Sequence, residues 1–254
     1  MSVTPRGRRQ SLNRRFLITG ATRGIGRALI NRVIQEGDDV TFVWNKSEDE
    51  SRDIIRDAEN HGVNAIAHKC DLTDRNAAML LSEKLSREAN FDAVALCASI
   101  EVEPSLATDI SLDEWDRHIN STLIAPAILI AAIADTVNEG GSITCLSSPN
   151  AQVCQEGMSA YASSKAGLEA FCKVLSRELG PRKIRVNTVR PGPTRTDGFF
   201  SLTDDEEVVE QLADATPLGA IADPDDIADF IYTLSGPEAR WVTGECITVS
   251  GGLF

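Results

Sequence analysis

The sequence predicts an α/β fold in which a central parallel sheet is covered by helices on both faces. Short apolar runs alternate with amphipathic stretches along the chain, and a glycine-rich turn follows the first of these runs. With 254 residues and 42% hydrophobic composition, the chain can form one domain with a substantial core. The runs predicted as strands cover residues 16–18, 40–44, 63–67, 91–98, 142–147, 184–189 and 245–249.

The glycine-rich turn joins the first predicted strand to a predicted helix over residues 27–35. Its sequence, Thr-Gly-Ala-Thr-Arg-Gly-Ile-Gly, occupies residues 19–26. Such a turn directs backbone N–H groups and a helix N-terminus toward a pyrophosphate. The glycine spacing is G-x-x-x-G-x-G, and a tight turn that needs glycine only for its backbone geometry is the alternative. The cofactor-binding residues predicted here are Gly20, Ala21, Thr22, Arg23, Gly24, Ile25 and Gly26.

A tyrosine and a lysine four residues apart lie in a predicted helix over residues 158–179. Tyr161 and Lys165 therefore share one helix face, and Ser148 precedes the tyrosine by thirteen residues. A positive charge beside a phenol favours the phenolate and lowers its pKa from about 10. Tyr161 could then exchange a proton with a substrate oxygen. The alternative interpretation of the pair is a solvated helix face.

Together these motifs resemble those of the short-chain dehydrogenase/reductase family, which combines T-G-x-x-x-G-x-G with Ser and Tyr-x-x-x-Lys. The resemblance covers about residues 14–254 and is nearest to 3-oxoacyl-(acyl-carrier-protein) reductases, notably at 202–205 and 217–219. It implies a single doubly wound Rossmann-type domain over 14–254. The segments 70–74, 184–196 and 242–252 fit the same family. The resemblance implies further cofactor contacts at Asp71, Leu72, Cys97, Ala98, Ser99, Pro191, Gly192, Thr194 and Thr196.

The resemblance also implies a catalytic role for each of three residues. Tyr161 exchanges a proton with the carbonyl oxygen as hydride moves to or from the nicotinamide. Lys165 lowers the tyrosine pKa and holds the ribose hydroxyls, so both residues contact the cofactor as well. Ser148 orients the reacting oxygen. Ser147 is the competitor for that last role, and a simple turn hydroxyl before Pro149 is the other alternative for Ser148.

The end of the second predicted strand indicates which nicotinamide cofactor binds. NAD enzymes of this fold place a carboxylate there for the ribose 2′-hydroxyl. Here Trp44 takes that position, and no carboxylate precedes Glu48. The donors of Asn45, Lys46 and Ser47, with Arg23 in the glycine turn, favour a 2′-phosphate, so we expect NADP. Ordinary surface charges are the alternative explanation of the two cations.

Two positions depart from the family pattern. The family's N-N-A-G segment is replaced by Leu-Cys-Ala-Ser at residues 96–99. The family's helix asparagine, which supports a water in the proton relay, corresponds to Thr122. Asn120 lies two residues earlier and so on another helix face. A non-catalytic NADP-binding regulator or scaffold is therefore kept as an alternative to an enzyme.

Composition limits the classes of partner. The net charge of −13 and pI near 4.7 argue against nucleic acid, although residues 1–13 form a basic segment that we predict to be a disordered tail. We expect neither a transmembrane run nor a signal peptide. Six cysteines without C-x-x-C spacing indicate a reduced, cytoplasmic protein. Three histidines without ligand spacing predict no metal.

The substrate and the assembly are predicted in general terms. Residues 198–222 form a predicted lid, and its aromatic residues are predicted either to line an acyl site or to pack internally. The resemblance favours a 3-oxoacyl thioester on a carrier protein, although residues 135–139 are acidic like such a carrier. Arg182 and Lys183 are candidate docking cations; a small ketone, a sugar or a specialised metabolite is the alternative substrate. The family also implies a homotetramer built on apolar helices at 112–137 and 158–179.

Overall fold

The computed structural model describes residues 13–88 and 90–254 and contains a seven-stranded sheet in which all paired strands are parallel. The predicted α/β fold is confirmed, while all but the last residue of the predicted basic tail lies outside the described residues. The strand order is β3-β2-β1-β4-β5-β6-β7. The strands are β1 (Arg15–Thr19), β2 (Asp39–Trp44), β3 (Ala65–Lys69), β4 (Phe91–Leu96), β5 (Val137–Leu146), β6 (Arg185–Pro191) and β7 (Cys246–Val249).

Helices cover both faces of the sheet and bury its apolar side chains in two clusters. On one face α1 packs against α10, and Phe42 and Ile231 belong to the same cluster. On the other, α3, α5 and α7 cover a cluster that includes Leu129 and Leu168. The helices are α1 (Gly24–Gln35), α2 (Glu48–His61), α3 (Arg75–Leu85), α4 (Leu112–Ile119), α5 (Ala125–Ile133), α6 (Asn150–Val153), α7 (Ser159–Leu179), α8 (Asp197–Phe200), α9 (Glu206–Ala215) and α10 (Pro224–Ser235).

The strand order creates a crevice at one edge of the sheet. The chain leaves β1 toward β2 and β3 on one side and continues with β4 to β7 on the other. Because the strands are parallel, their carboxyl ends lie together, and the connections diverge between β1 and β4. Open α/β sheets bind ligands at this point. The glycine turn and the segment after β4 therefore meet at the position where a cofactor site is expected.

One long apolar helix departs from the sequence expectation. A π-helical turn at Asn120–Ile124 joins α4 to α5, so the helical segment runs continuously over Leu112–Thr136. Its most apolar 18-residue window has a mean hydropathy of 1.6, so by length and composition alone this helix could cross a membrane, a test that the buried core helix of a soluble protein also passes. Leu129, Ile130 and Ile133 face the sheet. Only 39% of that window is buried, which leaves apolar surface on its outer side.

Candidate active site

The glycine turn after β1 has the geometry of a phosphate cradle. Gly20 has φ +67°, and a Cβ added there would lie 2.7 Å from the backbone of Ala98. A Cβ on Gly26 would lie 2.1 Å from the Gly20 carbonyl oxygen. Both positions therefore require glycine for close backbone approach as well as for the turn. The helix α1 starts at Gly24, and the N–H groups of its first turn have no partners within the helix.

The polar end of the cleft lies where β2 and β3 finish. The Asp71 carboxylate accepts hydrogen bonds from the N–H and hydroxyl of Thr73, and Asn45 and Lys46 lie close enough to stabilise its charge. Burial raises the Asp71 pKa, but hydrogen bonds from Thr73 and Asn45 and the Lys46 charge outweigh it, so the net pKa is lowered. Arg23 also lines the cleft, where its guanidinium pairs with Glu101 at 3.2 Å.

The predicted site residues converge on a single cleft of about 1120 Å³. Ala21 is the exception, because it is fully buried and its N–H donates to the Val43 carbonyl at 3.3 Å. Ala21 therefore packs beneath the glycine turn and does not line the cleft. The predicted residues that line the cleft are Gly20, Thr22, Arg23, Gly24, Ile25, Gly26, Asn45, Lys46, Ser47, Asp71, Leu72, Cys97, Ala98, Ser99, Ser148, Tyr161, Lys165, Pro191, Gly192, Thr194 and Thr196.

Ser148 stands two residues beyond β5, in the turn that leads to α6. Its Oγ accepts a hydrogen bond from the Asn150 N–H at 3.2 Å, and its side chain lies near enough to Tyr161 to lower the pKa of the phenol. The competitor Ser147 donates its Oγ hydrogen to Glu169 at 2.6 Å. The structure therefore pairs the tyrosine with Ser148 and engages Ser147 elsewhere.

Tyr161 and Lys165 differ from the sequence expectation in how they titrate. Burial raises the pKa of Tyr161 above its ordinary value, and the hydrogen bond with Ser148 only partly offsets this. The expectation that Lys165 lowers the pKa of Tyr161 is therefore wrong. The Lys165 Nζ lies 5.6 Å from the centroid of the tyrosine ring and donates to the Leu146 carbonyl at 2.8 Å. Burial lowers the pKa of Lys165 to about 8. The pair thus has a protonated phenol beside a readily deprotonated amine.

Thr122 lies inside the π-helical turn, at the position of the family's asparagine. It is 2% exposed, and among the described residues its Oγ1 has no hydrogen-bond partner. The side chain lines a cavity of about 10 Å³ together with Thr19 and Lys165, which is about the space of one water molecule. Asn120 instead accepts from Arg75 Nε at 2.6 Å. The expectation that Asn120 is a poor substitute agrees with this geometry.

The segment after β4 keeps its backbone position without the family's amide side chains. The Ala98 N–H donates to Thr19 Oγ1 at 3.2 Å, which fixes the segment against the end of β1. Cys97 is 7% exposed, and burial raises its pKa to about 12. The thiol is therefore neutral at physiological pH and unsuited to nucleophilic attack.

Sequence reasoning missed a histidine beside the catalytic tyrosine. The rings of His118 and Tyr161 meet edge to face, with their centroids 6.0 Å apart. His118 is 2% exposed, and its Nε2 lies 3.1 Å from Glu114. Burial lowers its pKa, although Glu114 opposes the shift. The spacing of four residues between Glu114 and His118 was the available signal, but it does not reveal the contact with α7.

Comparison with known proteins identifies the family. A family model described as enoyl-(acyl carrier protein) reductase matches residues 20–254. The 3-oxoacyl-[acyl-carrier-protein] reductase FabG of Staphylococcus aureus (strain N315) is 30% identical over 241 residues, covering 94% of this chain and 97% of the relative. The cyclic-di-GMP-binding biofilm dispersal mediator protein of Escherichia coli (strain K12) is 31% identical over 236 residues, with coverages of 92% and 94%.

A solved structure extends the similarity to three dimensions. The short chain dehydrogenase from Burkholderia cenocepacia J2315, in complex with NADP, has a TM-score of 0.86 and 32% identity. The alignment covers 94% of this chain and 97% of that one. The sequence motifs, the sheet order and these matches agree over nearly the full chain. The chain therefore belongs to the short-chain dehydrogenase/reductase family and is an oxidoreductase.

Proposed function

We propose that this oxidoreductase reduces a carbonyl group to a secondary alcohol with NADPH. The observation that carries the proposal is that Ser148, Tyr161 and Lys165 line the same cleft as the glycine turn. A hydride from bound NADPH is the reductant for the carbonyl carbon. Tyr161 gives its phenolic proton to the carbonyl oxygen, which Ser148 holds by a hydrogen bond. We expect the ammonium of Lys165, whose Nζ lies 5.6 Å from the ring centroid, to offset part of the cost of the buried phenolate that remains until the proton is replaced.

The protonation state of Tyr161 is the one that carbonyl reduction requires. A raised pKa keeps the Tyr161 phenol protonated at neutral pH. Reduction needs that proton, whereas oxidation needs the phenolate as a base. The protonated resting state is therefore ready to donate.

The shape and charge of the cleft support NADPH as the cofactor. Gly20 and Gly26 let the backbone of the turn pack closely, because a Cβ on Gly20 would meet the Ala98 backbone and a Cβ on Gly26 would meet the Gly20 carbonyl oxygen. The α1 N-terminus that this turn presents favours the charge of a pyrophosphate. At the other end, Lys46 provides a cation and Trp44 replaces the carboxylate typical of NAD sites. Arg23 lines the same cleft and would have to exchange its partner Glu101 for the phosphate. These features fit a 2′-phosphate.

The substrate half of the cleft favours an apolar ketone. Its walls include side chains that offer dispersion contacts and few charges: Val102, Met158, Phe199, Leu202, Val208 and Leu212. Both cations considered for carrier docking, Arg182 and Lys183, already have hydrogen-bond or ion-pair partners within the chain. Arg182 donates to the carbonyls of Ala134 and Val137, and Lys183 pairs with Glu139 at 2.6 Å. We therefore favour a free apolar ketone over a carrier-bound 3-oxoacyl thioester.

The test compares one 3-oxoacyl group in three forms: on acyl carrier protein, on coenzyme A and as a simple ester, beside a set of aryl ketones. We expect NADPH oxidation with the free ketones at a kcat/KM no lower than with the carrier thioester. A preference for the carrier thioester above about tenfold would reverse the substrate choice. No turnover with any carbonyl compound would remove the proposed activity itself.

A nucleotide-binding regulator is the second candidate. It is supported by the loss of the family's amides at residues 96–99 and by the similarity to the cyclic-di-GMP-binding biofilm dispersal mediator protein of Escherichia coli. The catalytic residues on one cleft weigh against it, since a binding site alone needs none of them. Tight NADPH binding without turnover in the same assay would favour the regulator.

A further inference from the structure

A buried ion pair lies directly behind the catalytic turn. Glu169 is on α7, one helical turn after Lys165, and Arg190 is on β6. Their exposures are 9% and 6%. Arg190 Nε lies 2.6 Å from Oε1 of Glu169, and Nη2 lies 2.5 Å from Oε2, so the pair is bidentate. Burying two charges is costly and adds little net stability, so the pair calls for a role beyond packing.

The carboxylate connects this pair to the residues that precede Ser148. Glu169 Oε1 accepts the Ser147 hydroxyl at 2.6 Å. Lys165 Nζ, one helical turn earlier, donates to the Leu146 carbonyl at 2.8 Å. The Ser147 N–H also donates to the Val189 carbonyl at 2.7 Å, next to Arg190. Lys165 and Glu169 of α7, with Val189 of β6, thus hold Leu146 and Ser147, the two residues that precede Ser148.

We propose that Glu169, held by Arg190, is a positioning residue that fixes the turn presenting Ser148 and favours the charged form of Lys165. The inference rests on the proposed reductase function. Glu169 does not itself reach the substrate in this account. It acts on the geometry of one catalytic residue through Ser147 and on the charge of another through space.

The charged groups around Lys165 support the proposal that Glu169 favours the ammonium form of this lysine. Burial lowers the pKa of Lys165 to about 8, and the Glu169 carboxylate opposes that lowering. Burial keeps the thiol of Cys97 and the imidazole of His118 neutral at pH 7, because it raises the first pKa and lowers the second. The titratable and charged groups around Lys165 are Tyr161 and Glu169 from α7, Cys97 after β4, Cys145 from β5 and His118 from α4, with Arg190 from β6 behind Glu169.

Removing the negative charge of Glu169 should lower the pKa of Lys165. Glu169→Gln keeps the side-chain shape but leaves the Arg190 charge unpaired, and both changes disfavour the Lys165 ammonium. The Lys165 pKa therefore falls further below its value of about 8. The ammonium is then lost at a lower pH than in the unmodified protein. Ser147→Ala removes the hydroxyl contact while keeping the ion pair, so it tests geometry without the charge.

The experiment titrates Lys165 in the full-length protein carrying ¹³C-labelled lysine, with its NMR signal identified by its loss in Lys165→Met. We expect Glu169→Gln to move the midpoint to lower pH by about one unit. Ser147→Ala should leave the midpoint in place. The matched control is Glu178→Gln, the same charge change at an exposed position of α7, and it should have no effect. A midpoint unmoved in Glu169→Gln overturns the proposal, and this result does not depend on any substrate being found.

Steady-state kinetics tests the positional part. Glu169→Gln and Ser147→Ala should lower kcat by about tenfold or more, while the NADPH dissociation constant changes by less than about twofold. Equal losses of kcat and NADPH binding in both variants would show a merely structural role and overturn the proposal. If Glu169→Gln does not fold, the double variant Glu169→Gln/Arg190→Met removes both buried charges. The double variant should keep the fold and still show the kcat loss; a kcat equal to that of the unmodified protein would refute positioning. Inactivity of the unmodified protein would instead contradict the proposed function.

Discussion

Lys165 lies one helical turn after Tyr161 on α7, and its Nζ is 5.6 Å from the centroid of the tyrosine ring and 2.8 Å from the Leu146 carbonyl oxygen. The lysine therefore joins the catalytic helix to the end of β5, two residues before Ser148. At 2% exposure, it is a buried cation whose charge depends on its surroundings. This contact links the helix that carries Tyr161 and Lys165 to the strand that leads to Ser148.

Replacing Lys165 should damage binding and chemistry together. Lys165→Met removes the ammonium that stabilises the phenolate and the contact with Leu146. We expect kcat/KM for carbonyl reduction to fall by about a hundredfold or more and NADPH affinity to weaken. Stopped-flow kinetics and NADPH fluorescence titration measure the two effects. Lys173→Met, at an exposed position of the same helix, is the control and should be neutral.

The rate of reduction should decline at alkaline pH. The pKa of Lys165 is lowered from 10.5 to about 8, so its charge is present below that pH and lost as pH rises through it. Because the charged form supports proton transfer, kcat/KM should be constant at lower pH and fall above about 8. A pH profile that stays flat up to the ordinary lysine pKa of 10.5 would be inconsistent with this role.

Cofactor preference should depend on Arg23 and Lys46. We expect NADPH to bind more tightly than NADH, and the double replacement of these cations by alanine to weaken NADPH binding by about tenfold or more while leaving NADH unchanged. Calorimetric titration of both cofactors measures this. Arg52→Ala, a surface residue paired with Glu48, is the control. Equal affinity of the unmodified protein for both cofactors would disprove the assignment.

Thr122 should contribute to proton supply. Thr122→Val keeps the side-chain volume but removes the hydroxyl that faces the cavity beside Lys165. We expect kcat to fall by several-fold, of the order that one proton-relay contact supplies, with unchanged NADPH affinity. Thr233→Val, on the exposed side of α10, serves as the control. Unchanged kcat in Thr122→Val would show that the proton reaches Tyr161 by another route.

Assembly should matter for turnover. Ala131 on α5 and Ala166 and Val174 on α7 are exposed to solvent. Phe171, also on α7, is half-buried. We propose that another copy of the chain covers these apolar positions, as the family resemblance implies, in a homotetramer. Phe171→Glu should then lower both the mass measured by light scattering and kcat. A stable monomer of the unmodified protein at micromolar concentration would refute the proposal.

The sequence predicts the parts of the site that depend on local spacing. The glycine turn between β1 and α1 and the shared face of Tyr161 and Lys165 follow from contacts within a few residues. The environment of these residues cannot be predicted from such local spacing. The raised Tyr161 pKa reflects burial by several elements, and the pairing of Glu169 with Arg190 joins a helix to a strand 21 residues away. Neither follows from periodicity, because both depend on how the elements pack.

The π-helical turn is a further example. Residues 112–137 were predicted as one continuous helix, and the structure places the irregular turn at Asn120–Ile124 inside it. Apolar periodicity cannot reveal one extra residue in a turn. The consequence is nevertheless local to the site, because the turn carries the buried Thr122 hydroxyl beside the cavity.

The most direct measurement of the central claim compares the unmodified protein with Tyr161→Phe. Each is mixed with NADPH and the carbonyl panel, and NADPH loss is followed with mass-spectrometric detection of the alcohol. We expect stoichiometric alcohol formation by the unmodified protein. In Tyr161→Phe we expect a rate at least about a hundredfold lower, with NADPH binding retained. Most of the activity persisting in Tyr161→Phe, or no alcohol from the unmodified protein, would contradict the central claim.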